Sequence, residues 1–273
     1  MVDADPLFDL RDRVIVVTGA FGQLGQQFTN ALAARGALVA ALDARPLDGA
    51  SFTFDSYLRA GQVLPLQADV TNRDSLEEAL AAIERHWGQP HALINNAGLD
   101  SAPDAAASAN APFEAYSEAC WQSVLSVNLT GAFLCCQVIG AALAHAGRGS
   151  IVNIGSIYGV VSPDQGLYEY RRQQGDQFFK PIAYGASKAG LLGVTRYLAT
   201  YWAHRNVRVN AVTFAGVFNN QAPQFLEKYC ARVPLGRMAR ADEYNGAIIF
   251  LCSDASGYMT GSNLVIDGGY TAW

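Results

Sequence analysis

Tyr184 and Lys188 stand four residues apart in Ala183-Tyr184-Gly185-Ala186-Ser187-Lys188. On a helix that spacing sets a phenol and an ammonium one turn apart on one face. A free tyrosine ionises near pH ~10, so it is a poor base at neutral pH unless a fixed positive charge stabilises its phenolate. Lys188 could supply that charge, and the two would then form a proton-transfer device. The same spacing also occurs on ordinary helix faces, because patterns this short recur by chance. The rest of the chain decides between the two.

Short apolar runs alternate with longer helical patterns almost throughout, the signature of a parallel sheet covered by helices on both faces. Strands are expected near Val14 to Thr18, Leu38 to Asp43, Val63 to Ala68, Ala92 to Asn95, Ser150 to Ile154, Val207 to Val212 and Asn263 to Ile266. Helices are expected over Gln23 to Arg35, Arg73 to Trp87, Phe113 to Ala146, Ala183 to His204 and Asp242 to Ser253. The fold class is therefore α/β, a Rossmann-type doubly wound sheet of seven strands. Ligands in such sheets gather beyond the strand C-terminal ends. At 273 residues one domain suffices, and the Ala- and Ser-rich stretch from Ser101 to Ala111 reads as a loop rather than a linker.

Strand one runs into Thr18-Gly19-Ala20-Phe21-Gly22-Gln23-Leu24-Gly25, and a helix follows. Glycines allow a tight turn and close backbone approach, while the helix N-terminus offers N–H groups and a favourable dipole to a pyrophosphate. Strand two ends at Asp43, where an acid can accept hydrogen bonds from both adenosine ribose hydroxyls and repel a 2′-phosphate. NAD is therefore expected over NADP. Arg45 is the reservation, because a nearby guanidinium could reach a phosphate.

Composition excludes several classes. A formal charge of -5 and a pI near 5.3 argue against a general nucleic-acid binder. No apolar run is read as membrane-spanning, and Met1-Val2-Asp3-Ala4-Asp5 lacks a secretion-signal pattern, so a cytoplasmic location is expected. Cys120, Cys135, Cys136, Cys230 and Cys252 show no Cys-x-x-Cys spacing and read as free thiols. His86, His91, His145 and His204 share no metal-ligand spacing and fit surface or helix-end positions. No metal is expected.

Taken in order, the motifs resemble the short-chain dehydrogenase/reductase family from strand one to Asp267-Gly268-Gly269. They are the Gly-rich turn, Asp69-Val70 after strand three, Asn95-Asn96-Ala97-Gly98 after strand four, Asn128 in Val127-Asn128-Leu129, Ser156 after strand five, and Tyr184 with Lys188. The resemblance implies hydride exchange between a nicotinamide and a secondary alcohol or ketone. It implies Tyr184 as acid/base, Lys188 as the group that lowers its pKa and binds the nicotinamide ribose, Ser156 as the group that polarises the substrate oxygen, and Asn128 as holder of a relay water. It places Asp69 and Val70 beside the adenine, Asn96, Ala97 and Gly98 along the cofactor groove with Asn96 also bracing backbone, and Val217 and Asn219 beside the nicotinamide. Gly19, Phe21, Gly22, Gln23, Leu24, Gly25 and Asp43 complete the expected cofactor set. Three departures stand out. Gln23 replaces the middle glycine of the usual turn, Phe214-Ala215-Gly216 replaces a Pro-Gly after strand six, and Asn219 stands where a Thr is common.

Ser156 and Tyr184 lie 28 positions apart, roughly twice the family's common gap. An insertion over about 157–183 is therefore expected to flank the substrate, with Tyr158, Arg171 and Arg172 as candidate contacts and Lys180 as a further cation for a phosphate or carboxylate. A lid is expected over about 219–237, where Phe218, Phe225 and Tyr229 could cover the site. More narrowly, Ser156 to Asp164, Phe218-Asn219-Asn220-Gln221 and the terminal Gly269 to Trp273 resemble flagellin-modification oxidoreductases. That resemblance implies a sugar phosphate or nucleotide-linked sugar as substrate. The alternatives are a carbonyl or 3-oxoacyl reductase and a non-catalytic dinucleotide-binding regulator. Family members commonly pair through the two long helices, so a homodimer or homotetramer is expected.

Overall fold

The computed structural model describes residues 5–47, 52–100 and 107–273. Seven parallel strands form one sheet in the order β3-β2-β1-β4-β5-β6-β7: β1 Val14–Thr18, β2 Leu38–Asp43, β3 Val63–Gln67, β4 Ala92–Asn95, β5 Gly149–Ile154, β6 Val207–Phe214 and β7 Asn263–Ile266. The chain starts in the middle, moves outward to β3, returns to β4 beside β1 and then moves outward the other way. This reversal opens a crevice at the C-terminal ends of β1 and β4. Every residue of β1 and β4 is buried, which explains why these strands read as unbroken apolar runs rather than alternating ones.

The helices are α1 Gln23–Ala33, α2 Asp55–Arg59, α3 Arg73–Trp87, α4 Glu118–Ala146, α5 Glu169–Gln173, α6 Ile182–Tyr201, α7 Pro223–Cys230 and α8 Asn245–Cys252. Amphipathic spacing makes α1 bury Phe28, Thr29, Leu32 and Ala33. Asn72 caps α3 by accepting from the Ser75 N–H, and Gly88 at φ 85° ends it. One apolar cluster joins α1 and α8 to the sheet through Phe28, Leu32, Ile248 and Leu251, and a second joins α3 and α4 through Leu76, Ile83, Ile139 and Leu143.

Several boundaries correct the sequence reading. The helix expected over Phe113 to Ala146 is a separate 3₁₀ turn at Phe113–Ala115 followed by α4, and α4 carries π turns at Ser126–Gly131 and Cys136–Gly140. Periodicity cannot show a single extra residue inside a helix. α4 is also long and apolar enough to cross a membrane by composition, contrary to expectation, yet half of its most apolar stretch is buried inside the fold. The helix expected to His204 ends at Tyr201 and passes into a 3₁₀ turn at Ala203–Arg205. Of the loop expected over Ser101 to Ala111, residues 101–106 lie outside the described residues, and Ala107–Asn110 form a 3₁₀ turn. His91 is not merely peripheral, since its Nδ1 accepts the Val14 N–H at 3.1 Å and ties the starts of β4 and β1 together.

Candidate active site

The crevice is a cleft of about 620 Å³ lined by the first turn of α1, the loop after β4, the end of β5, α6 and the chain after β6. Ser156, Tyr184 and Lys188 all face it. α6 delivers the last two from adjacent turns, and β5 runs directly into Ser156. The Ser156 Oγ accepts from the Tyr158 N–H at 3.2 Å, which fixes the hydroxyl at the strand end. Lys188 is 5% exposed, and its Nζ donates to the Ile154 carbonyl at 2.7 Å.

Burial pushes the Tyr184 phenol up to about 12. Hydrogen bonding with Ser156 pulls against this, and the Asp100 carboxylate adds to it. Burial also holds the Lys188 ammonium down to about 8, partly offset by Asp100. The expected depression of the phenol by Lys188 is therefore not what this arrangement gives. The ammonium sits 5.8 Å from the ring centre and spends a hydrogen on Ile154, so desolvation wins.

Asn128 lies in the first π turn of α4, the kind of helix defect that often occurs at functional sites. Its side chain is engaged on both sides. Oδ1 accepts from the Leu99 N–H at 2.7 Å, while Nδ2 donates to the Leu99 carbonyl at 2.9 Å and to Ser187 Oγ at 3.0 Å. The residue thus fastens the chain after β4 to α6, the helix that carries Tyr184. Asn128 Oδ1 and Lys188 Nζ would each lie 3.5 Å from a Cβ placed on Gly98, so the three positions meet at one point of the cleft floor.

The residues of the turn fit a dinucleotide. Gly19 has φ 62°, and a Cβ there would lie 2.7 Å from the Ala97 Cα; a Cβ on Gly25 would lie 2.2 Å from the Gly19 carbonyl oxygen. Gly22 is the N-cap of α1 with no side chain capping the helix, which leaves first-turn N–H groups for an anion. Asn96 Nδ2 donates to the Thr18 and Gly19 carbonyls at 2.9 and 3.1 Å, so its bracing role is visible directly. Phe21 is buried and its N–H donates to Asp43 Oδ2 at 2.9 Å. Asp43 is 6% exposed; burial favours its neutral form, but hydrogen bonds from Arg45 and from the Phe21 N–H outweigh this and hold the carboxyl below its ordinary value. Arg45 grips that carboxylate through Nε and Nη2 at 2.9 and 2.8 Å. Gln23, Leu24, Gly98, Val217 and Asn219 line the cleft. The Asp69 Oδ1 accepts from the Thr71 N–H at 2.8 Å, and Val70 is buried beneath Gly131 of α4.

A further wall of the cleft, where the substrate is expected, rests on a third apolar cluster, distinct from the two against the sheet. It joins Ile157, Leu167 and Tyr168 of the insertion, Tyr229 of α7, Met238 and Tyr270. The insertion is ordered by 3₁₀ turns at Ile157–Gly159 and Gln165–Tyr168 and by α5. Tyr158, Arg171, Phe225 and Tyr229 reach the cleft as expected. Arg172 does not. Its guanidinium donates to the Phe178 and Gln165 carbonyls at 2.9 and 2.8 Å, which makes it a brace of the insertion. Phe218 is also outside the lining; the residue is 47% exposed, and its carbonyl accepts from Gln23 Nε2 at 3.1 Å. The unusual Gln23 thereby links the Gly-rich turn to the chain just before residues 219–237, where a lid is expected.

The two remaining insertion cations are also paired. Arg171 bonds Asp176 at 2.6 Å and lies 3.8 Å over the Phe178 ring, and Lys180 pairs with Asp100. Sequence reasoning missed Asp100, although its place just after Asn95-Asn96-Ala97-Gly98 at a strand end was a usable signal. It also missed Tyr168, Tyr170 and Phe178, which only tertiary packing brings to the cleft. All five cysteines are free, and no group of metal-ligating side chains occurs among the described residues.

A family model described as enoyl-(acyl carrier protein) reductase matches residues 19–271. The chain is 34% identical to D-threitol dehydrogenase of Mycolicibacterium smegmatis over 99% of this chain and 96% of that protein. It is 32% identical to the L-tagatose-forming galactitol 2-dehydrogenase of Cereibacter sphaeroides, covering 100% of both, and 32% identical to the 3-oxoacyl-[acyl-carrier-protein] reductase of Thermotoga maritima over 95% and 98%. A crystal structure of a short-chain dehydrogenase from Leptospira borgpetersenii with bound NAD+ superposes with a TM-score of 0.84 at 33% identity, covering 99% of this chain and 97% of that one. The named relatives are polyol dehydrogenases and an acyl reductase, so the narrower resemblance to flagellin-modification oxidoreductases is not borne out.

Proposed function

Because the chain belongs to the short-chain dehydrogenase/reductase family and is an oxidoreductase acting on CH–OH groups, we propose that it interconverts a secondary alcohol of a neutral polyol with the corresponding ketose, using NAD. The observation that carries the substrate class is the state of the cleft's cations. A phosphate or nucleotide-linked substrate is commonly gripped by guanidinium or ammonium groups with donors to spare. Here Arg171 is tied to Asp176, Lys180 to Asp100, and Arg172 is turned away onto carbonyls. Ser156, Tyr168, Tyr170 and Tyr184 add hydroxyl-bearing side chains to a lining otherwise rich in apolar groups, which supports a neutral polyhydroxy chain as the occupant.

In this reading Ser156 orients the reacting oxygen by hydrogen bonding, and Tyr184 gives or takes its proton. A bound nicotinamide supplies the two-electron chemistry. With the phenol at about 12, the resting enzyme holds the proton needed to form an alcohol. Oxidation therefore calls for that proton to leave, and its rate is expected to climb with pH. Lys188 and Asn128 fix the floor: Lys188 anchors on Ile154, and Asn128 holds Leu99 against Ser187. Asp43, gripped by Arg45 and by the Phe21 N–H, supports NAD as the preferred dinucleotide, since a 2′-phosphate would meet its carboxylate.

The 3-oxoacyl reductase relative and the aromatic lining favour a second reading, reduction of a small 3-oxoacyl ester. One screen separates them: polyols, aldonates, sugar phosphates, nucleotide sugars and 3-oxoacyl esters, each with NAD(H) and NADP(H), followed by absorbance of the reduced dinucleotide. Turnover confined to phosphorylated substrates or to NADP(H) overturns the proposal. For assembly, Phe133 on α4 and Tyr197 and Tyr201 on α6 are exposed at 46%, 66% and 56%, and a homodimer or tetramer covering them is proposed. Light scattering that finds a monomer removes it.

A further inference from the structure

Lys180 brings a second ammonium to the reaction centre. Its Nζ lies 5.0 Å from the centre of the Tyr184 ring and 5.7 Å from that of Tyr158. Its main chain is clamped, for the Lys180 N–H donates to Gln165 Oε1 at 2.9 Å and Gln165 Nε2 donates back to the Lys180 carbonyl at 3.2 Å. The ion pair with Asp100 joins the insertion to the loop after β4, and both residues line the cleft with Ser156 and Tyr184. Their side chains differ in depth: Lys180 is 11% exposed and Asp100 57%. The ammonium is thus held inward, with the carboxylate toward the mouth.

A pair open to solvent at one end contributes little to fold stability. Its chemical consequence in the cleft is larger. Together the two groups present a donor and an acceptor to substrate hydroxyls without adding net charge. Either one alone would charge the cleft beside the reacting carbon and select for substrate charge.

We propose that the Asp100–Lys180 pair sets the substrate charge preference of this enzyme, with Asp100 cancelling Lys180 so that a neutral polyol is taken over a polyhydroxy carboxylate of the same chain length. The proposal rests on the polyol reading above. Without Asp100, Lys180 becomes an unpaired cation that can hold a carboxylate. Without Lys180, Asp100 repels one.

The test compares D-glucitol with D-gluconate in two ways: by kcat/KM with NAD, and by dissociation constant from the enzyme–NADH complex, read from NADH fluorescence. D100N is expected to raise the gluconate-to-glucitol preference about 10-fold, and K180M to lower it by a similar factor. K180R, which keeps the charge, and the D100N/K180M double variant are expected within about 3-fold of the wild-type ratio. Ratios that stay fixed in both single variants, or move the same way, overturn the proposal. If the wild type oxidises neither compound, the binding ratios alone decide: opposite shifts uphold the charge-setting pair, whereas no shift or no binding of either compound overturns it, and the polyol reading is judged separately by the substrate screen above.

Discussion

The two banks of the cleft are made differently. The cofactor bank is backbone architecture, in which Gly19 and Gly25 let the chain pass within contact of Ala97 and of itself, and Asn96 ties the end of β1 to the chain after β4. The substrate bank is side-chain architecture. Tyr168, Tyr229, Met238 and Tyr270 come from distant stretches and make a small core of their own. Tyr229 even governs backbone on the other bank, because its hydroxyl accepts the Gly216 N–H at 2.6 Å, while the Tyr244 hydroxyl donates to the Ala215 carbonyl at 3.1 Å. These bonds take over the job of the proline missing from Phe214-Ala215-Gly216: the loop is held by tyrosines rather than by a fixed φ. A bank set by a few obligatory backbone positions tolerates little substitution, whereas one set by packing can be redesigned for a new substrate.

The largest expected effect falls where the banks meet. Tyr184→Phe keeps the ring and its packing but removes the exchangeable proton, so turnover should fall by at least ~100-fold while NADH still binds. Steady-state rates and NADH fluorescence titration check this, and retained turnover would place the proton transfer elsewhere. Next comes the cofactor bank. Gly25→Ala puts a methyl 2.2 Å from the Gly19 carbonyl, against backbone that cannot rotate away. A stability loss of about 1–3 kcal/mol and weaker NADH binding are expected. Urea melts of the variant test it; a variant as stable as its parent would show the turn to be more pliable than its geometry implies.

The same contrast decides what could be read without coordinates. β1, β2, β4 and β7 begin and end where apolar runs and Gly, Asp or Asn boundaries place them, and the Gly-rich turn leads into α1 at Gln23. Such features are local, so sequence carries them. The π turns of α4 are also local, but they leave periodicity nearly intact. Arg171 and Arg172 show the limit on the substrate bank. As neighbours of one type they are indistinguishable in the chain, and only the fold turns one into the cleft and the other onto the carbonyls of Phe178 and Gln165. The position of Asp100 after Asn95-Asn96-Ala97-Gly98 was legible, but its pairing with Lys180, 80 positions later, shows only in the fold.

Lys188 gives a prediction of opposite sign for stability and activity. Its ammonium is depressed from 10.5 to about 8 by burial, so the folded state binds that proton less well than the unfolded chain does. The resulting penalty is full below about 8 and disappears as pH rises through 10.5. Lys188→Met should therefore stabilise the unliganded protein at pH 7 by about 1–2 kcal/mol, after allowing for the lost bond to Ile154, and should abolish most turnover. The gain should shrink at alkaline pH. Thermal melts at neutral and alkaline pH measure both; a variant equally destabilised at the two would mean that the Ile154 bond outweighs desolvation.

The smallest effect probes the link between the banks. Tyr229→Phe leaves the stacking on Phe225 and Tyr270 in place and deletes only the oxygen that accepts the Gly216 N–H. A buried donor left without its partner costs about 1–3 kcal/mol unless water replaces it, so a modest fall in melting temperature is expected. If the tyrosine clamp also substitutes for proline as argued, the KM for NAD should rise more than the KM for the alcohol, because Gly216 and Val217 adjoin the bank where the nicotinamide is expected. Equal rises in both would assign Tyr229 to the substrate bank alone, and the missing proline would then need no counterpart.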